Sequence, residues 1–249
     1  MRRRFFVDRF ETNSAALTGD SADHLGRVLR AEPGQLYELS DGRQVWLSRI
    51  ERVALSKQGK SRIEFVLVES IAAPEPRLEI ELLFSLVKFD RFEWCLEKAT
   101  ELGATAIVPL AAARTDKPLI AAASKRHERW EKILNESAQQ SRRLRPPLLA
   151  AAMAPEKAFS ASTAAITILL SERHTAPPLR TVLAGVSSFN ENKTITVSLA
   201  IGPEGGWTES EFAAAHAAGF AGASLGENIL RAETAVIAAL AALNFALAG

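Results

Sequence analysis

The chain has 249 residues, 47% of them apolar and 24% charged, with a formal net charge of +1, a composition that predicts a packed core in two domains or one large one. The single cysteine, Cys95, excludes an internal disulfide, so we expect a reducing compartment. The chain has only four histidines and no cluster of ligands at zinc-like spacing, so we expect no metal. No apolar run of the signal-peptide kind follows the basic N-terminus, and the most apolar segment, residues 234–249, is shorter than a membrane span; we therefore expect a cytoplasmic protein.

The first 72 residues have the pattern of a small β-barrel or sandwich. The segments 35–40, 44–50 and 61–70 alternate in polarity or are rich in β-forming residues, and turn signals separate them. The proline-bearing stretch 71–77 is the best candidate for a domain boundary. The sequence therefore predicts one domain over 1–72 and a second over 73–249.

Beyond this boundary the pattern changes to alternating strands and helices. Several predicted strands are almost continuously apolar, which is typical of buried parallel strands. We predict an α/β domain with a mostly parallel sheet. The predicted strands cover 77–88, 104–110, 164–173, 194–206 and 222–226, and the predicted helices cover 89–103, 124–143, 208–219 and 232–247.

A glycine-rich loop lies in the segment IGPEGGWTESEF, residues 201–212. It joins a strand to a helix whose start is marked by a capping box of Thr208 and Glu211, and ligands of open α/β sheets bind at such strand ends. Its glycines permit close approach to a flat ligand, whereas Glu204 would repel a phosphate, and neither common phosphate-loop motif occurs. The loop favours a ligand that is neutral or cationic where it touches; the alternative is a tight turn without a ligand.

The charges of the chain are segregated. Residues 124–147 carry a net charge of +4, and residues 195–249 carry −4 with Arg231 as their only cation. This pattern suits a polyanion that docks in one place and reacts in another, although a solvated helix face is the alternative. Arg231 follows a predicted strand end and is a candidate functional residue; an ion pair with Glu204 or Glu233 is its structural alternative.

Five blocks of sequence, in this order, resemble the RsmE family of 16S ribosomal RNA uridine-N3 methyltransferases, in the SPOUT superfamily. They are HLGRVLRAEPGQ (24–35), EKATELGATAIVPL (97–110), ERWEKILNESAQQSRRLRPP (128–147), IGPEGGWTESEF (201–212) and LGENILRAETAVIAAL (225–240). The resemblance implies a PUA-like RNA-binding β-barrel over 1–72 and a SPOUT α/β domain with a C-terminal trefoil knot over 73–249. It also implies S-adenosylmethionine as methyl donor, a homodimer, and 16S rRNA or the small ribosomal subunit as partner.

Candidate roles can be given to residues for this reaction, and the resemblance itself implies those that bind the cofactor. Arg231 would hold the uracil oxygens, and Glu233 is the candidate base or else orients Arg231. The implied cofactor-binding residues are Leu170, Ser171, Glu172, Ile201, Gly202, Pro203, Glu204, Gly205, Gly206, Leu225, Gly226, Ile229, Leu230 and Ala235. The expected phosphate-binding residues are Arg2, Arg3, Arg4, Arg27, Arg30, Arg142, Arg143 and Arg145.

The sequence also departs from the family pattern. Glu227 and Asn228 stand where the family commonly has a proline and a basic residue, Ala232 replaces a threonine, and Gln139 and Arg142 replace a glutamate and a glycine. Two alternatives stay open: a SPOUT methylase acting on another RNA, either transfer RNA or a ribose 2′-hydroxyl, and a non-catalytic RNA-binding assembly factor.

Overall fold

The computed structural model describes residues 3–56, 61–73, 76–184 and 194–247. These residues fall into two units, which we call the β-unit (residues 1–75 with 138–146) and the α/β-unit (residues 76–137 with 147–249). The division near residue 75 lies within the boundary segment predicted from the sequence. The β-unit also includes 138–146, a segment that the sequence analysis placed in the second domain.

The β-unit is a curled, half-barrel sheet of five strands in the order β1-β3-β4-β5-β2. Its pairs are antiparallel except for β1 with β3. The core contains Phe5, Leu39, Ile50, Ile63 and Phe65, all buried. The strands are β1 (Arg4–Phe6), β2 (Ser14–Thr18), β3 (Leu36–Ser40), β4 (Val45–Ala54) and β5 (Arg62–Ile71), and a short helix α1 (Gly19–Asp23) runs into a π-helical turn (His24–Val28).

The α/β-unit contains a six-stranded sheet in which all strands are parallel, in the order β11-β9-β10-β6-β7-β8. This confirms the predicted parallel sheet. Its strands are β6 (Leu78–Ser85), β7 (Ala104–Leu110), β8 (Leu148–Leu149), β9 (Ile166–Leu170), β10 (Ile195–Ile201) and β11 (Ala221–Ala223). Its helices are α2 (Phe89–Glu101), α3 (Lys117–Gln140), α4 (Pro155–Ala161), α5 (Leu179–Ala184), α6 (Glu209–Ala217) and α7 (Ala232–Leu247).

Both faces of the parallel sheet are buried. One face packs against a core that includes Phe92 of α2, Trp130 of α3 and Leu240 of α7. The opposite face packs with Phe159 of α4, Trp207 and Phe220. Because both faces are covered, the strands read as almost continuous apolar runs, which is why the sequence predicted them. No helix within the described ranges is long and apolar enough to span a membrane.

The sequence located the end of α2 better than the ends of α3. The end of α2 is confirmed at Gly103, which has a φ of 92°. Helix α3 begins at Lys117, seven residues before its predicted start, because Pro118 is compatible with a first helical turn. It ends at Gln140, and Arg142 just beyond has a φ of 55°, a left-handed conformation that stops a helix. The family's glycine at this position would adopt that φ without strain.

Candidate active site

An open cleft of about 1670 Å³ lies in the α/β-unit at the carboxyl ends of three adjacent strands, β11, β9 and β10. The loops that follow these strands and the start of α7 line it. Every implied cofactor-binding residue except Gly205 lines the cleft, and Arg231 does so as well. The structure thus brings together side chains that are up to 65 residues apart in the sequence, from Leu170 to Ala235.

The first glycine of the loop is shaped by a tryptophan of the protein itself. A Cβ added at Gly202 would lie 3.0 Å from Cε2 of Trp207. Trp207 is buried, and its Nε1 donates a hydrogen bond of 3.0 Å to the carbonyl of Leu170. Gly202 is therefore needed for the packing of Trp207, which ties β9 to the glycine loop. The packing of Trp207 is a second reason for this glycine beside the predicted close approach of a flat ligand, because Gly202 also lines the cleft.

The other two glycines also face protein side chains. Gly206 has a φ of 70°, and its added Cβ would lie 2.8 Å from Oε1 of Glu172. An added Cβ at Gly205 would lie 3.2 Å from Cβ of Arg114, whose Nη1 donates a hydrogen bond of 2.7 Å to the Gly205 carbonyl. Arg114 therefore packs against Gly205 and binds its carbonyl, and Gly205 itself does not line the cleft.

A buried carboxylate fixes the loop that carries Arg114. Glu211 is only 1% exposed. Its Oε1 accepts a hydrogen bond of 2.8 Å from the backbone N–H of Ala113, and its Oε2 accepts one of 2.7 Å from the N–H of Thr208. The predicted capping box of α6 is confirmed, and the same carboxylate also holds the loop after β7.

Glu204 and Glu233 both face Arg91 of α2. Nη1 of Arg91 is bonded to Oε1 of Glu204, and Nε of Arg91 lies 3.9 Å from Oε1 of Glu233. Arg231 is exposed at the cleft and forms no ion pair with any residue that the structure describes. The structural alternative for Arg231, a pair with Glu204 or Glu233, is therefore wrong, and Arg91 occupies that place.

Glu233 is largely buried beside the cleft. Its side chain is 16% exposed and does not line the cleft. Burial, and then the charge of Glu233, raise the pKa of the neighbouring Cys95 thiol to about 12, so Cys95 is not a thiolate at neutral pH. A general base must reach the proton that it removes. The position of Glu233 disfavours its role as base, and its contact is with Arg91 rather than Arg231.

The expected phosphate-binding arginines of the β-unit fall into two groups. Arg3, Arg27 and Arg30 are exposed, and Arg30 has a left-handed φ of 52°. Arg4 corrects the prediction, because it is 8% exposed and its Nη2 lies 3.0 Å from Oε2 of Glu38. Arg2 lies outside the described residues.

The segment that follows α3 is bound to Arg4 as well. Nη1 of Arg4 donates a hydrogen bond of 2.7 Å to the carbonyl of Arg142, whose own guanidinium lies 3.8 Å from Glu38. Burial, and then the charge of Arg145, lower the pKa of Arg143 to about 10, so it remains charged at neutral pH. Arg145 donates a long hydrogen bond of 3.4 Å to the Gly42 carbonyl. These arginines contact other groups of the β-unit, so fewer of the expected phosphate-binding side chains remain available to RNA.

Residues 74–244 match the family described as RNA methyltransferase domain. The chain belongs to this family. A relative from Synechocystis named Ribosomal RNA small subunit methyltransferase E is 35% identical over 236 residues, which is 93% of this chain and 73% of that protein. A relative of the same name from Bacillus subtilis is 29% identical over 258 residues, covering 98% and 96% of the two chains. The resemblance to the RsmE family is thereby confirmed.

Solved structures of this methyltransferase family have the same fold. The ribosomal RNA small subunit methyltransferase E of Neisseria gonorrhoeae, bound to S-adenosyl methionine, superposes with a TM-score of 0.82 at 29% identity, covering 98% of each chain. A Legionella pneumophila protein described as a putative methyltransferase, in complex with the bound cofactor SAM, superposes with a TM-score of 0.83 at 26% identity, covering 99% of this chain and 98% of that one.

Sequence reasoning missed Arg91 and Arg114 of this methyltransferase. Both side chains line the cleft, and both follow carboxyl ends of strands, namely β6 and β7. Arg231 was selected because it follows a strand end. The same argument would have selected Arg91 and Arg114 if the sequence had shown that β6 lies beside β10. Among the described residues, no group of three His, Cys, Asp or Glu side chains is placed to hold a metal ion.

Proposed function

We propose that this protein is an S-adenosylmethionine-dependent methyltransferase that methylates N3 of a uridine in 16S ribosomal RNA. The observation that supports this most directly is the cleft, where the glycine loop meets Arg231 in a chain of the RNA methyltransferase family. Arg231 is exposed there and forms no ion pair with a described residue. The names of the curated relatives supply the RNA substrate.

The residues of the cleft fit the cofactor. Leu170, Ile201, Leu225, Leu230 and Ala235 give it apolar walls, as the faces of an adenine require. Glu172 lines it beside the glycine loop, where a carboxylate can accept hydrogen bonds from ribose hydroxyls or an amino group. S-adenosylmethionine carries a sulfonium cation and no phosphate, so the carboxylates on these loops do not repel it. We propose that the implied cofactor-binding residues that line the cleft, all except Gly205, hold it here.

When bound, S-adenosylmethionine supplies a methyl group on a positively charged sulfur. Uracil N3 carries a proton at neutral pH, and loss of this proton to water in the open cleft would leave negative charge on O2 and O4. N3 would then take the methyl group, and neutral S-adenosylhomocysteine would leave. Arg231 presents a planar fork of N–H donors at the mouth of the cleft and would hold these oxygens. The loops that line the cleft would bring the two reactants together, which is the contribution of proximity.

The architecture of the family supports three further proposals. We propose that the curled sheet of the β-unit is a PUA-like RNA-binding barrel, that the α/β-unit is a SPOUT domain with a C-terminal trefoil knot, and that the protein works in the cytoplasm. RNA would contact the exposed arginines of the β-unit, Arg3, Arg27 and Arg30, with Arg145. The target base must leave its stack, or be unpaired, to enter the cleft.

We also propose a homodimer. Phe245 of α7 is 93% exposed and Ile229 is 78% exposed, and both border the cleft. Large exposed apolar side chains at one site are typical of an interface, and a second copy is the occupant that the resemblance implies. Light scattering of the wild-type chain should give twice the chain mass, and Phe245→Asp should shift it toward the monomer. A monomeric wild type would refute the dimer.

The test of function is methylation of defined RNA. Purified protein, S-adenosylmethionine and either naked 16S rRNA or small subunits from cells lacking the enzyme are incubated, and the nucleosides are analysed by mass spectrometry. We expect 3-methyluridine from one of the two substrates. Ribose-methylated nucleosides, or product only with transfer RNA, would show another methylase. Donor binding without any product would show a non-catalytic RNA-binding factor.

A further inference from the structure

Arg91 connects two elements of the cleft through one guanidinium. It lies in the first turn of α2, and its Nη1 is bonded to Glu204 of the glycine loop. Its Nε lies 3.9 Å from Oε1 of Glu233 in the first turn of α7. A planar guanidinium offers donors in several directions, so a single side chain can face both carboxylates. The glycine loop and the start of α7 are thereby linked by one cation.

The burial of Glu233 makes this link more than a surface ion pair. The Glu233 side chain is 16% exposed, and its Oε2 has no hydrogen-bond partner among the residues that the structure describes. A carboxylate this buried is costly without a cation nearby, and Arg91 is the cation that the structure places there. The contact with Glu204 is half exposed and by itself contributes little to stability. Its consequence is geometric, because it fixes where the glycine loop lies relative to α7.

We propose that Arg91 is a positioning residue of the donor site, which holds the glycine loop and the start of α7 at the separation that S-adenosylmethionine requires. This inference rests on the proposed location of the donor in the cleft. It also explains why Arg231 is exposed, since the two carboxylates that would pair with it already face Arg91.

Two ligands that differ by one methyl group and its positive charge on sulfur separate positioning from simple charge. S-adenosylmethionine carries a sulfonium cation, whereas S-adenosylhomocysteine has a neutral sulfur. If Arg91 positions the loops, Arg91→Ala should weaken binding of both ligands to a similar extent, by about five- to thirtyfold, because a coupled interaction is removed. If Arg91 acts only by repelling a cation, its removal should tighten S-adenosylmethionine and leave S-adenosylhomocysteine unchanged.

The experiment is calorimetry with both ligands on a small set of variants. Arg91→Lys should recover part of the affinity, because an ammonium cannot fork to two carboxylates. In a Glu204→Gln background, Arg91→Ala should cost at least threefold less than in the wild type, since part of its interaction is already gone. The matched control is Arg129→Ala, which removes an arginine of α3 that pairs with Glu93 of α2, outside the cleft.

Three results would overturn the proposal. One is affinity for both ligands within twofold of the wild type, and another is tighter binding of S-adenosylmethionine alone. The third is a fall in melting temperature far beyond that of Arg129→Ala, with no coupling to Glu204, which would make Arg91 a residue of general stability. The wild type is measured first, and a wild type that binds neither ligand would refute the donor site itself rather than the role of Arg91.

Discussion

Replacing Arg231 by alanine tests the proposed chemistry, because we expect the methylation rate to fall while the stability of the fold stays unchanged. Arg231 is exposed and forms no ion pair with a described residue, so its loss should change the free energy of unfolding by less than about 0.5 kcal/mol. A donor that stabilises developing negative charge contributes about 2.7–4 kcal/mol to the transition state. We therefore expect single-turnover methylation to fall roughly 10²–10³-fold while the melting temperature and the affinity for S-adenosylmethionine stay unchanged.

The assay measures single-turnover methylation of 16S rRNA or small subunits with donor in excess, beside melting and calorimetry on the same preparations. Arg231→Lys should recover only part of the rate, because an ammonium lacks the planar fork of donors. Arg180→Ala is the matched control, since it removes another exposed arginine of the same cleft, and we expect its rate to stay close to that of the wild type. A wild-type rate for Arg231→Ala would refute the assignment. Parallel losses of melting temperature, donor affinity and rate would instead show a structural role.

Three further substitutions test other parts of the molecule. Gly206→Ala places a Cβ 2.8 Å from Oε1 of Glu172 at a φ of 70°. Calorimetry should therefore show weaker donor binding, and thermal melting should show that the free energy of unfolding falls by about 1–2 kcal/mol. Unchanged affinity would show that this glycine does not belong to the donor site. Arg142→Gly relieves a φ of 55° and should stabilise by roughly 0.5–1 kcal/mol in denaturant unfolding, whereas destabilisation would show that the side-chain contacts of Arg142 outweigh the strain. Replacing Arg3 and Arg30 together by alanine should make the slope of log affinity against log salt concentration shallower, by roughly 0.7–0.9 for each RNA phosphate that is no longer neutralised. An unchanged slope would show that these two arginines do not contact RNA phosphates.

The parallel sheet could be predicted from the sequence, but its strand order could not. Apolar runs and helix signals identify most elements of the α/β-unit locally, and the capping box at Thr208 locates the start of α6. The short elements β8, α4 and α5 were not predicted. The order β11-β9-β10-β6-β7-β8 depends on pairings between distant segments. Because that order decides which strand ends meet, Arg91 and Arg114 were not recognised as neighbours of the glycine loop.

The glycine loop itself was correctly identified, but the reason given for its glycines was incomplete. A glycine in the sequence indicates that a side chain would not fit at that position, but it does not show which neighbouring group occupies the space. In the structure, Trp207 fills the space at Gly202, Arg114 the space at Gly205 and the Glu172 carboxylate the space at Gly206. A similar limit applies to Arg4, since a cationic N-terminus in the sequence does not show that one of its arginines is buried against Glu38.

The arrangement of arginines around the cleft explains how a glutamate-bearing loop can serve a reaction that builds up negative charge. Glu204 and Glu233 would compete with the uracil for Arg231 if no other cation were present. Arg91 faces both carboxylates, and Arg114 binds the loop through the Gly205 carbonyl. Arg231 is therefore already exposed when the RNA arrives, and no ion pair with a described residue has to be broken in the transition state. The proposed role of Arg231 therefore does not require the cost of breaking an ion pair with these carboxylates.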